Sequence, residues 1–173
     1  MFGTWMNILK KVPESILWLM TSNEYAMNNI RDEASKKDIE KGRIIFANHL
    51  PHNDHLERLK LADIFLDTFP YNAHTTASDS IRMGVPIVTL SGRSFASRVC
   101  SSILNQVKME KLSAKSKKNY ENIAIELGNN KNKIKQVKKE IKNNCINSPL
   151  FKVQDYTKDL EKKFIDLIEK QEL

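Results

Sequence analysis

The chain has 173 residues, 40% hydrophobic and 28% charged, which is apolar material enough for one packed domain and excludes a disordered or fibrous chain. No apolar run approaches the ~20 residues of a membrane-spanning helix. Met1–Trp5 lacks the basic start and apolar stretch of a secretory signal, so a membrane span and export are set aside. The net charge of +7 sits within residues 106–145, where eleven lysines face four glutamates.

In chain order, Phe2, Trp5, Ile8, Leu9 and Val12 recur at helical spacing, and Pro13 stops that helix. Ser15–Met20 reads as a buried strand, Tyr25–Lys37 as a polar helix and Arg43–Ala47 as a second strand. Asp54–Lys60 is a short helix and Asp63–Asp67 a third strand. Thr75–Met83 is helical and closed by Gly84, at the position where a left-handed residue commonly ends a helix. Pro86–Leu90 is a fourth strand, and Ser94–Leu104 another helix. Short apolar strands alternating with helices imply parallel βα units, both sheet faces covered. The expected fold is α/β, a Rossmann-like parallel sheet flanked by helices and followed by a helical C-terminal extension.

Beyond residue 105 the pattern is helical. Tyr120–Leu127 ends at Gly128. Lys131–Asn143 carries a stripe of Ile134, Val137 and Ile141, and Tyr156–Glu169 one of Leu160, Phe164, Leu167 and Ile168. Both stripes are expected to face a core, with Leu150 and Phe151 docked between them. The lysines read as a solvated helical face. Polyanion binding is the competing use, but Tyr120 is the only aromatic residue among them, so no base-stacking platform for nucleic acid is indicated. The whole chain is expected to be a single lobe, with a βα core over 1–105 and a helical part over 106–173. Cys100 and Cys145 have no CxxC spacing and are read as reduced thiols in a cytoplasmic protein.

Ligands of open parallel sheets sit in the loops after the strands' carboxyl ends. The loop after the third strand delivers His74, Thr75 and Thr76 to a helix start, where amides and the helix dipole favour an anion. Asp79, one turn on, can accept from sugar hydroxyls. The competing reading makes Thr75 or Thr76 a plain helix cap.

The loop after the second strand holds His49, His52, Asp54 and His55, followed by Arg58. A metallohydrolase pattern His-x-His-x-Asp-His fails because position 50 is Leu and the extra histidine falls at 49. No metal is therefore assigned. The remaining uses are a stacking imidazole with Arg58 at a nucleotide base, or plain polarity.

Separated motifs arbitrate between these readings. Arg43-Ile-Ile-Phe, Leu50-Pro51 with His55 and Arg58, Leu61-Ala-Asp with Leu66-Asp-Thr68, and Asn72-x-His-Thr-Thr-x-x-Asp79 occur in that order. Gly84-x-Pro86, Ala96-Ser-Arg-Val99 and Ser148-Pro-Leu-Phe151 follow. Together they resemble the C-terminal catalytic half of the O-GlcNAc transferase family, its bacterial members above all, over essentially the whole chain.

The resemblance implies one lobe of a two-lobed GT-B fold. It implies transfer of N-acetylglucosamine, or a related sugar, from a UDP-sugar to side chains of an acceptor protein, without a metal cofactor. It also implies roles for residues. The Leu50 backbone would pair with the uracil edge, His55 would stack on the base and Arg58 would support it. His74, Thr75 and Thr76 would hold the diphosphate, and Asp79 the ribose.

Two departures stand out. His52 occupies a position where the family carries a nucleotide-contacting Lys. The family's phosphate-binding Lys and the N-terminal lobe would precede Phe2, and Lys10 and Lys11 lie inside a helix and cannot substitute. A truncated lobe with no catalytic residue of its own and an open sheet edge is the expectation. The alternative is a catalytically inactive nucleotide-binding remnant or interaction module.

Overall fold

The computed structural model describes residues 1–170. In chain order the elements are α1 (Phe2–Lys11), β1 (Leu17–Met20), α2 (Glu24–Ser35), β2 (Ile44–Ala47), α3 (His52–Leu59), β3 (Phe65–Leu66) and α4 (Thr75–Arg82). β4 (Ile87–Leu90), α5 (Val99–Gln106), β5 (Ser113–Ala114), α6 (Lys117–Gly128), α7 (Lys131–Asn147) and α8 (Val153–Glu169) complete the chain. The fold is α/β, with parallel strands flanked by helices as expected.

The strands form two ladders. β1 pairs parallel with β2, Leu17 opposite Ile44, while β4 lies between β3 and β5, parallel to both. β5 has no counterpart in the sequence reading, because two residues, one of them Ser113, carry no alternation to detect.

The division into ladders follows from α1. Met6 and Leu9 pack into a small core with Leu17, Ala34, Ile39 and Ile44. Ile8 and Val12, on a neighbouring face of the same helix, pack into the main core around β4, α5, α6 and α7. Trp5 and Leu66 touch both cores. Each fully buried aliphatic side chain of β4 (Ile87 and Val88 at 0% exposure) contributes about 1.5–3 kcal/mol. β4 alone is buried at every residue; Met20 and Ile45 are exposed, so the expectation of a sheet covered on both faces fails for β1 and β2.

Local signals explain most boundaries. Asn23 and Asn130 accept from the third amide of α2 and α7, and Ser116 does so for α6; such caps supply partners for amides that have none within the helix. Gly84 ends α4 with φ +76°, as its position predicts. The helix expected from Ser94 is instead a 3-10 turn, Phe95–Ser97, followed by α5, and α3 begins at His52 rather than Asp54.

The stripe of α7 is buried as expected, and Leu150 and Phe151 pack against the main core. The stripe of α8 is not buried. Leu160, Phe164, Leu167 and Ile168 are all exposed, Phe164 by 58%. The reason is placement: α8 packs against the 3-10 turn at Pro149–Phe151 and then runs clear of the core. Tyr120, the one aromatic residue among these lysines, is fully buried. Several lysines there are engaged in ion pairs, Lys111 with Glu140, Lys133 with Glu126 and Lys138 with Asp63. Both thiols are free.

Candidate functional site

The candidate residues fall into two groups, on α3 and α4, and these helices pack against each other. His55 and Arg58, three residues apart, share one face of α3. The Arg58 guanidinium donates from Nη1 to the Asn48 carbonyl at 2.7 Å and from Nη2 to His55 Nδ1 at 2.9 Å. Its Cζ lies 5.4 Å from the centre of the Trp18 ring. One side chain therefore ties β1, the loop after β2 and α3 together. Burial pushes the His55 imidazole below its ordinary pKa, and the positive Arg58 adds to that; the Asp79 carboxylate on α4 opposes it. Leu50 lies in irregular backbone between β2 and α3, and His52 is the exposed first residue of α3.

On α4, His74 occupies the N-cap position, yet no side chain caps the helix. The plain-cap reading of Thr75 and Thr76 is thus corrected: both are exposed, as the first and second residues of the helix, inside its first turn. Their hydroxyls make no hydrogen bond among the described residues. The His74 ring is stacked on Tyr71, with centroids 4.9 Å apart, and meets Phe95 edge-on at 6.0 Å. Its Nε2 is buried and has no partner among the described residues. Asp79 follows Thr75 by four residues and so shares its face of α4.

Sequence reading missed what holds this corner. Asp67, at the end of β3, is fully buried. One carboxylate oxygen accepts from the amides of Thr68 (2.8 Å) and Ala73 (2.7 Å), and the other from the Thr89 hydroxyl (2.6 Å). Its carbonyl accepts from the Tyr120 hydroxyl at 2.9 Å, which in turn lies 3.4 Å from Trp5 Nε1. Asn72, equally buried, donates to the Thr68 carbonyl at 2.8 Å. The loop from Thr68 to Ala73 is thereby closed on itself, and it presents His74 and the start of α4. Burial raises the Asp67 pKa, outweighing the hydrogen bonds that favour the carboxylate. An aspartate closing the apolar run Ile64–Leu66 is the one local sign of this role.

Among the described residues no group of three or more His, Cys, Asp or Glu side chains is arranged to hold a metal ion. Two open depressions, of about 580 Å³ beside Arg31 and Lys41 and about 390 Å³ beside Asn7 and Lys10, are lined by none of the candidate residues. The α3–α4 corner is instead an open face: helix amides and hydroxyls of α4 beside a clamped imidazole of α3, suited chemically to an anion linked to a flat polar ring.

Comparison with known proteins bears on this geometry. The chain is 35% identical over 157 residues to a UDP-N-acetylglucosamine–peptide N-acetylglucosaminyltransferase of Caenorhabditis elegans, covering 91% of this chain and 14% of that protein. It is 33% identical over 166 residues to the probable enzyme of that name, SEC, of Arabidopsis thaliana, covering 95% and 17%. The fold matches a solved O-GlcNAc transferase variant of Thermobaculum terrenum with TM-score 0.88 at 24% identity, over 94% of this chain and 32% of that one. The chain thus spans a minor part of each of these three proteins. Residues 1–160 fit the pattern of glycosyl transferase family 41, and on that match, together with the two relatives, this chain belongs to that family.

Proposed function

We propose that this chain is the nucleotide-sugar-binding lobe of a protein glycosyltransferase that moves N-acetylglucosamine, or a related sugar, from a UDP-sugar to protein side chains. The observation that carries this reading is the start of α4. It is uncapped by any side chain, flanked by two exposed threonines, and preceded by a histidine whose buried Nε2 has no partner among the described residues. In the proposed complex the diphosphate lies against the α4 amides, His74, Thr75 and Thr76. The Asp79 carboxylate accepts from the ribose hydroxyls. The uracil pairs with the Leu50 backbone and stacks on His55, with Arg58 behind it.

In the transfer, an acceptor hydroxyl oxygen bonds to the anomeric carbon and releases its proton to solvent as the bond from that carbon to the diphosphate breaks, and the electron pair leaves with UDP. Negative charge therefore grows on the diphosphate. The positive end of the α4 dipole and the hydroxyls of Thr75 and Thr76 are preorganised to receive it without a metal ion. No residue of this chain is assigned to deprotonate the acceptor. Two free thiols are in keeping with a cytoplasmic setting.

A second reading, a lobe that binds the nucleotide without supporting transfer, draws on His52, an imidazole at the position where the resemblance places a lysine. Titration calorimetry of the chain with UDP and with uridine, its fold checked by circular dichroism, tests the site. Weak UDP binding is expected, and the Thr75→Ala/Thr76→Ala pair should weaken UDP roughly a hundredfold, the worth of two hydrogen bonds to a charged group at the low end of their range, while uridine changes little. No heat at millimolar UDP, or equal losses for both ligands, overturns the diphosphate assignment. Sugar transfer on addition of a family N-terminal lobe separates the two readings.

A further inference from the structure

The α3 end of the site contains a constraint on proton position that the family's nucleotide-binding role does not require. A guanidinium carries only N–H donors and no acceptor, and it stays charged in proteins. Arg58 Nη2 lies 2.9 Å from His55 Nδ1, so Nδ1 must be the acceptor, with its lone pair facing Arg58. The hydrogen of a neutral imidazole then sits on Nε2, across the ring. Arg58 is itself held at two other points, by the Asn48 carbonyl at 2.7 Å and by the Trp18 face. The ring orientation of His55 is therefore set by a side chain that is anchored independently of it.

We propose that Arg58 is a positioning residue that locks His55 as the neutral Nε2–H tautomer, giving the uridine part of a nucleotide an uncharged imidazole face with a single fixed donor. The inference rests on the nucleotide-binding reading for its purpose, but its geometry is complete without a ligand. Protonating His55 would put an N–H against an N–H of Arg58 and so break the clamp. The groups acting on His55 come from every surrounding element: Arg58 and His52 on α3 and His49 on the loop after β2 disfavour its charge, and Asp79 on α4 favours it. Burial adds to the first set. The same charge that steadies a neutral ring thus makes the clamp fail in acid.

The test is a titration of the full chain, labelled with ¹⁵N-histidine and free of ligand. Long-range ¹H–¹⁵N spectra separate the four histidines, and His55→Gln identifies the His55 signals. At neutral pH the wild type should show an unprotonated Nδ1 and a protonated Nε2 at His55, with a midpoint below the ordinary ~6.5. Arg58→Leu should mix the two tautomers and move the midpoint upward. Arg58→Gln removes the charge and offers an acceptor as well as a donor, so the tautomers should mix and the midpoint should rise; this variant also serves if Arg58→Leu does not fold.

The functional arm uses uridine, which carries no phosphate. Arg58→Leu should weaken it by about two- to threefold at neutral pH, the factor by which mixing depletes the competent tautomer. An Nδ1–H form in the wild type, or one tautomer unchanged in both variants, overturns the lock. A lock confirmed by the spectra with unchanged uridine affinity overturns the positioning role. Absence of any UDP or uridine binding by the wild type instead overturns the nucleotide reading and leaves the proton assignment standing.

Discussion

The Thr89 hydroxyl donates a 2.6 Å hydrogen bond to the Asp67 carboxylate, joining the ends of β3 and β4 at the root of the loop that presents His74. Because the other Asp67 oxygen accepts from the Thr68 and Ala73 amides, a single carboxylate closes that loop. Asp67→Ala would strand two amides and a hydroxyl in a buried place, at a cost of about 3–5 kcal/mol. Asp67→Asn keeps the oxygen that both amides use and should cost less than half as much. Urea unfolding of the two variants checks the order, and similar losses would mean that the amides find other partners.

The same residue has a pH signature. Burial holds the Asp67 pKa above its ordinary 3.8, so the folded chain binds this proton more tightly than the unfolded chain. Its contribution to stability is therefore greatest in acid, declines as pH rises from about 3.8 through the folded value, and is flat above. The Asp67→Asn variant carries a neutral amide at this position at every pH. The difference in melting temperature between wild type and Asp67→Asn should shift in the variant's favour as pH rises across that window. A gap independent of pH would count against a raised Asp67.

Placement also separates two helices of similar pattern. Ile141 on α7 is fully buried, and Ile141→Ala should cost about 2–5 kcal/mol through lost burial and the cavity left behind. Leu160→Ala or Phe164→Ala on α8 removes side chains that are 39% and 58% exposed, and each should change stability by less than about 1 kcal/mol. Denaturation of this 173-residue chain provides the check. A large loss at Phe164 would show that the α8 stripe is covered.

Close backbone approach makes a fourth case. A Cβ on Gly92, just after β4, would stand 2.8 Å from Ser97 Cβ and 2.9 Å from the Phe69 ring. Gly92→Ala should therefore cost about 1–3 kcal/mol by overpacking. A Cβ on Gly3 in α1 would meet nothing within 4 Å, and Gly3→Ala should gain about 0.5–1 kcal/mol from helix propensity. Melting temperatures moving in opposite directions would bear this out.

The sequence by itself determined the alternation of strands and helices, the parallel α/β class and the two strand-to-helix connections that lead to His55 and His74. Apolar runs, 3.6-residue stripes and stop signals such as Pro13 and Gly84 are local, and local spacing is enough to read them. It also carried the family motifs, because these lie in contiguous stretches. Tertiary structure alone decided which stripes are covered. The α7 and α8 stripes look alike in sequence, since a stripe states that a face is apolar but not what meets it. Likewise, α1 serves two cores only because β1 and α6 lie on different sides of it, and Asp67, which closes the site loop, has its carbonyl held by Tyr120, 53 residues away. Contacts between residues so far apart in the chain depend on how whole elements pack, and no short-range pattern encodes that.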